Sequence, residues 1–185
     1  NSGASLTSIE MLAFADLPLM VKAGVQWGLF GGALELLGNR RQHEKYLRDV
    51  MSFDLAGCFA MTETGHGSDV QQLRTTCTYD PATETFDLHT PHQAARKDYI
   101  GNAAKDGRMA VVFAQLITGG RNHGVHAWLV PIRTEDGTPC PGVTIGDDGA
   151  KAGLNGVDNG RLTFDHVRVP RHMLLDRYGQ VAEDG

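Results

Sequence analysis

Eight residues, Thr62-Glu63-Thr64-Gly65-His66-Gly67-Ser68-Asp69, carry three hydroxyls, two carboxylates, an imidazole and two glycines. They follow the apolar run Cys58-Phe59-Ala60-Met61, so a strand ends abruptly in polar chain. Hydroxyls and backbone amides at a strand end can donate to carbonyl or phosphate oxygens. Gly65 and Gly67 let the backbone come close to such a ligand. The pattern describes a binding loop for a planar, hydrogen-bonding, partly anionic molecule. Glu63 fits either a general base or a cap for nearby loop amides, and capping is the simpler role.

Other chemistries fit the same letters poorly. Gly65-x-Gly67-x-x-Val70 lacks the third glycine of a dinucleotide fingerprint, and no helix pattern follows it. No Lys-Ser/Thr pair completes a P-loop, and Gly-His-Gly-Ser-Asp is not a nucleophile elbow. Ser68, His66 and Asp69 are too close in sequence to converge as a triad. Among eight histidines, the pairs His89/His92 and His123/His126 stand three apart in strand or turn. That spacing places them on opposite faces, so no metal site is expected from it.

The elements that must position this loop change character along the chain. Leu17 to Leu37 reads as a long helix, with Gly24, Gly28, Gly31 and Gly32 where a neighbouring backbone would pack closely. Gly38-Asn39 stops it, and Arg40 to Met51 restarts with Tyr46, Leu47, Val50 and Met51 on one face. After Ala56 the period becomes that of strands. Thr75–Tyr79 and Glu84–His89 form a hairpin around Asp80-Pro81. Strands follow at 109–118 and 125–132 with a turn over 119–124, then a Pro/Gly loop over 135–142 and strands at 161–164 and 167–169. Turn signals at this spacing suggest an antiparallel barrel or sandwich.

A chain of 185 residues can bury a core, and its 41% hydrophobic and 21% charged content is ordinary for a globular protein. A net charge of -5 without a basic stripe argues against nucleic acid as a partner. Three cysteines with no C-x-x-C pair point to free thiols. The first ten residues lack a secretory leader, and Asp16, Lys22 and Glu35 interrupt the most apolar segment, so no membrane span is expected. Asn1 at one end and loop-like Val181–Gly185 at the other suggest a fragment of a longer polypeptide.

The run Ala60–Asp69 resembles the flavin-binding signature of the acyl-CoA dehydrogenase and acyl-CoA oxidase superfamily. His66 takes the place of a small residue in the dehydrogenases, and Gly-His-Gly-Ser is the oxidase form. The likeness extends through Gly24–Gln26, Leu29–Gly32, Thr76–Pro81, Ala114–Thr118, His126–Arg133 and Asp158–Gly160. Lys97-Asp98-Tyr99-Ile100-Gly101-Asn102 is mixed: Ile100 and Asn102 are similar to the dehydrogenases, and Gly101 to the oxidases.

The resemblance implies an α+β fragment: residues 1–55 end an N-terminal α-helical domain, and residues 56–185 form an antiparallel β-barrel middle domain. A C-terminal helical domain, with the catalytic carboxylate, would lie outside it, so no catalytic residue is assigned here. It implies FAD, which accepts a hydride from the acyl β-carbon of an acyl-CoA thioester, with electrons passed to oxygen. Thr62 matches the threonine that bonds the flavin. Phe59 and Met61 would offer backbone groups, Gly67 close approach, and Ser68 a hydroxyl near pyrophosphate or CoA. Gly101 would face flavin N5 and leave room for oxygen. A homo-oligomer is implied for the full-length protein, cytoplasmic in a bacterium or peroxisomal in a eukaryote. The rival readings are a dehydrogenase with a flavoprotein acceptor and a non-catalytic acyl-CoA-binding homologue.

Overall fold

The structure, a computed structural model, describes residues 2–185. Its first part holds the helices α1 (Ser2–Ala15), α2 (Leu17–Ala23), α3 (Gly32–Leu37) and α4 (Arg40–Met51). A π-helical segment, Gly24–Gly31, joins α2 to α3, so helical backbone runs unbroken from Leu17 to Leu37 as expected. Asp16 caps its start by accepting from the Leu19 amide at 2.9 Å. Gly38 ends it in extended backbone, where a Cβ would stand 2.4 Å from the Leu34 carbonyl oxygen. Asn39 and Gln42 then form a reciprocal capping box at the start of α4, both bonds 2.9 Å.

The buried stripe of α4 is Gln42, Tyr46 and Val50, with Leu47 packed beside it. Met51, expected on that face, is exposed instead. It lies one residue, about 100°, round the helix from Val50. Of the helical glycines, Gly31 approaches its neighbour closely, 3.3 Å from the Val50 side chain to an added Cβ. Gly24 and Gly28 have no such neighbour among the described residues, so packing within this chain does not account for them.

Nine strands follow among the described residues: β1 (Gly57–Ala60), β2 (Thr76–Asp80), β3 (Thr85–His89), β4 (Lys97–Gly101), β5 (Met109–Thr118), β6 (Arg121–Pro131), β7 (Val143–Asp147), β8 (Asn159–Phe164) and β9 (Val167–Pro170). The β2–β3 hairpin forms where the sequence places it, with Asp80 accepting from the Ala82 amide and Thr83 hydroxyl. The turn after β5 is tighter than expected. Gly119 and Gly120, at φ +55° and +71°, reverse the chain by themselves, so β6 begins at Arg121. β7 has no counterpart in the sequence reading; its two buried or half-buried apolar residues, Val143 and Ile145, are too few to show a period.

The expected antiparallel sheet is in fact mixed. Along one edge of β5, β1 runs parallel to Met109–Val112 and β2 parallel to Gln115–Ile117; β6 pairs antiparallel on the other edge. Long excursions separate β1 and β2 from β5, and they permit the parallel pairing that a hairpin turn forbids. β3 and β9 extend this sheet beyond β2. β4, β8 and β7 form a second, antiparallel sheet. Two seams join the sheets: the Asp98 amide to the Thr62 carbonyl at 3.0 Å, and the Thr90 amide to the Phe164 carbonyl at 2.8 Å.

The core draws on the helices and both sheets, and Met109 to Leu116 of β5 is buried throughout, as for a strand covered on both faces. Cys58 and Cys77 are buried free thiols, and burial pushes Cys58 up to about 12. No helix among the described residues is long and apolar enough to cross a membrane.

Gln26 ties the helices to the sheet. Its amide nitrogen donates to the Val50 and Leu55 carbonyls, at 3.0 and 2.8 Å, and its oxygen accepts from the Gly57 amide at 2.8 Å. Phe30 lies so close to β1 that a Cβ on Gly57 would fall 2.1 Å from its ring. Gly57→Ala is therefore expected to cost about 1–3 kcal/mol through overpacking. The check is a lowered denaturant midpoint at unchanged slope. An unshifted midpoint would mean that Phe30 does not seat on β1.

Candidate functional site

The polar segment after β1 is fixed from behind by a buried ion pair. Lys97 of β4 donates to the Met61 carbonyl at 3.1 Å, the Phe113 carbonyl at 2.7 Å and Glu63 Oε1 at 3.0 Å. Each of its three protons has an acceptor. Glu63 also accepts from the Arg74 amide at 2.8 Å, the Thr75 amide at 2.9 Å and the Thr75 hydroxyl at 2.6 Å. Neither charged side chain reaches solvent.

Burial pushes the Glu63 carboxyl up, but the Lys97 charge and the Thr75 and Arg74 bonds outweigh it and hold the group below its usual range. Burial likewise lowers Lys97 to about 8, against the pull of Glu63. A saturated, inaccessible carboxylate of lowered basicity is no general base. Glu63 is the cap.

Much of the loop's hydrogen-bonding capacity is used internally. The Thr64 amide donates to the Arg96 carbonyl at 2.9 Å, and the Thr64 hydroxyl to Asp98 Oδ2 at 2.8 Å. The Gly65 amide donates to the Ala94 carbonyl at 2.9 Å, and a Cβ on Gly65 would crowd Ala94 at 3.1 Å. Burial raises the Asp98 carboxyl, but Arg96 and Thr64 bind it and bring it below the usual range. What remains is selective. No hydrogen bond engages the Thr62 or Ser68 hydroxyls, or the Gly67 and Ser68 amides, among the described residues.

Thr62, Phe59 and Gly101 meet in one cleft of about 470 Å³. It is also lined by Val21 of α2, by Val25 and Leu29 of the π-helical segment, and by Tyr99, Lys151 and Leu154. A bulge in β4 shapes it: pairing with β8 shifts between Lys97 and Ile100, and Tyr99 at φ +63° is thrown outward. Asn159 holds the bulge by donating to the Tyr99 carbonyl at 2.9 Å. The space over Gly101 is not open, because Val25 Cγ2 stands 2.8 Å from where its Cβ would be. Nor does Gly101 adopt a positive φ, so contact alone asks for glycine here.

The other expected residues fall elsewhere. The Met61 side chain lines a second cleft of about 370 Å³ with Phe113, His126 and Tyr178. Gly67 and Ser68 sit on the exposed loop, outside the lining of the Thr62 cleft. Asn102 is fully buried and bonds the Gly57 carbonyl at 3.1 Å, so its role is in the frame. Sequence reading missed Val25, Tyr99 and Lys151 as cleft residues. Val25 lies inside Gly24–Gln26, one of the segments of family likeness, whereas the loop carrying Lys151 gives no signal.

Residues 58–167 match the family model described as acyl-CoA dehydrogenase, middle domain. The chain belongs to that family. Among relatives of this family, a peroxisomal acyl-coenzyme A oxidase 3 of Arabidopsis thaliana is 46% identical over 180 residues, which is 97% of this chain and 27% of that protein. The acyl-CoA oxidase 1 structure from Yarrowia lipolytica superposes with a TM-score of 0.95 at 37% identity, covering 100% of this chain and 28% of its own. An acyl-CoA oxidase-1 from Caenorhabditis elegans, solved with FAD and ATP, gives 0.82 at 43% identity over 84% of this chain and 24% of that one. The chain thus spans about a quarter of the length of the acyl-CoA oxidases it matches.

Proposed function

We propose that this chain is the flavin-facing part of an FAD-dependent acyl-CoA oxidase, which forms an α,β-double bond in an acyl-CoA thioester and passes the electrons to oxygen. Residues 1–55 would end its N-terminal helical domain and 56–185 form its middle domain. The observation that carries the reading is the convergence of the unpartnered Thr62 hydroxyl with Phe59 and Gly101 in one cleft. FAD, when bound, supplies the acceptor for the hydride.

The chain's own contribution is placement. The Thr62 hydroxyl would donate to a polar edge of the ring system, from a backbone that Lys97 and Glu63 hold rigid. Phe59 gives the cleft an apolar wall and, with Met61, backbone groups near the ring. The Ser68 hydroxyl and the Gly67 and Ser68 amides suit a phosphate oxygen. Lys151 adds positive charge to the lining. No residue here is assigned the α-proton; that carboxylate would come from chain beyond residue 185.

As in the relatives named peroxisomal, a eukaryotic form would be peroxisomal, and a bacterial one cytoplasmic. A homo-oligomer is the proposed state of the full-length protein.

The full-length protein is expected to purify with a flavin absorption band and to consume oxygen with matching peroxide when given acyl-CoA. Reduction of an acceptor dye without oxygen uptake would instead identify a dehydrogenase, and absence of flavin a binding homologue. Residues 1–185 alone are expected to show no turnover, since general-base catalysis worth about 10²–10⁴-fold is absent along with one wall of the site. Turnover by that segment would overturn the assignment of the base to another region.

A further inference from the structure

We propose that His89, Asp165 and His166 form a binding site for a divalent transition-metal ion of the zinc class, with Asp87 holding His166 from behind. The fold brings these residues together from distant stretches. β3 pairs with β9 up to Leu88 opposite Val167, which leaves His89 facing the turn that carries Asp165 and His166. One ligand atom from each of the three lies within 4.8 Å of the other two. The two imidazoles stack with centroids 4.1 Å apart and planes 13° from parallel.

Two further observations point to a cation. His89 Nδ1 is buried without a hydrogen-bond partner among the described residues, and it stands 4.0 Å from Asp165 Oδ1. That gap is too wide for a hydrogen bond, and an ion bridged to the exposed Asp165 carboxylate would satisfy the buried His89 nitrogen. Asp87 Oδ2 lies 2.9 Å from His166 Nδ1. A carboxylate behind an imidazole is the arrangement that fixes ring and tautomer in metal sites, leaving Nε2 with its lone pair.

Zinc holds nitrogen and oxygen at about 2.0–2.2 Å, so tetrahedral ligand atoms sit about 3.4 Å apart. Closing from 4.8 Å requires the His89 ring to tilt out of the stack, so that the two in-plane lone pairs converge, and Asp165, whose side chain is 87% exposed, to rotate inward while Asp87 keeps His166 in place. Imidazoles select zinc, cobalt, nickel or copper over calcium and magnesium, which take oxygen ligands. None of these residues lines the Thr62 cleft, so the ion would clamp β3 to the β8–β9 turn without entering the chemistry.

The test is calorimetric titration of Zn²⁺ into the chelator-treated intact protein. One saturable site is expected, with a Zn²⁺-dependent rise in melting temperature. His166→Ala and His89→Asn should each weaken binding at least about tenfold, and Asp87→Asn by about 10–100-fold. His166 is exposed, so without metal its alanine variant should still fold cooperatively, losing only the contacts to Asp87 and His89, and its melting temperature should not rise when Zn²⁺ is added. Equal Zn²⁺ affinity in parent and His166→Ala would overturn the proposal, and so would a parent that binds no Zn²⁺.

Discussion

Lys97→Met is expected to destabilise the fold by about 3–5 kcal/mol, the cost of leaving a buried charge without its partner. Methionine keeps much of the volume but removes three donors. The Met61 and Phe113 carbonyls and Glu63 then lose the group that holds them together. Glu63→Gln should cost less, since the amide keeps one acceptor oxygen, and combining the two should be less than additive. The measurement is a double-mutant cycle on denaturant midpoints; strict additivity would mean that the pair is not coupled.

Acid sensitivity follows from the same contacts. The Glu63 carboxyl is lowered in the fold, so its stabilisation is present above the unfolded value, about 4.3, and is lost as the pH falls through the folded one. Asp98, also lowered, acts with the same sign. Parent stability should therefore fall on acidification below about pH 4.3, and Glu63→Gln should flatten that slope. Because Lys97 sets the strand end from which Thr62 projects, Lys97→Met should also weaken flavin retention in the full-length protein.

The sequence made the binding loop legible because its chemistry is local: hydroxyls and glycines crowd into eight residues after an apolar strand. It also favoured the cap role of Glu63, though not the identity of its partner. Lys97 is 34 positions away, and only the crossing of β4 behind the strand end brings the two together. The helices and the β2–β3 hairpin were legible through period, caps and turn residues. Parallel pairing on β5 was not, since sheet order depends on excursions whose paths leave no period. The same holds at the cleft. Phe59 and Thr62 stand close in sequence and were found together, whereas Val25 reaches the site from a helix and Lys151 from a loop without pattern. His89 and His166 meet for the same non-local reason, and short-range histidine spacing could not have paired them.

Gly101→Thr in the full-length protein is expected to slow both acyl-CoA-driven reduction and oxygen-driven reoxidation, followed separately on the flavin band by stopped flow. A β-carbon at residue 101 would stand 2.8 Å from Val25 Cγ2 and 3.4 Å from Cγ1, so threonine must push the π-helical wall away from the cleft. Overpacking of this kind costs about 1–3 kcal/mol, and it disturbs whatever the cleft holds. Val25→Ala removes both methyls and leaves the Val25 Cβ at 3.7 Å, an ordinary contact. The double variant Val25→Ala/Gly101→Thr should therefore recover reduction. In the double variant the added hydroxyl still stands where the oxidase-like glycine offers none, so reoxidation should remain slow, by about tenfold for each 1.4 kcal/mol of added barrier. Full recovery of both half-reactions would mean that glycine serves only to admit Val25 and has no part in oxygen reactivity. Recovery of neither would place the fault in the bulge at Tyr99, whose left-handed backbone immediately precedes Ile100 and Gly101.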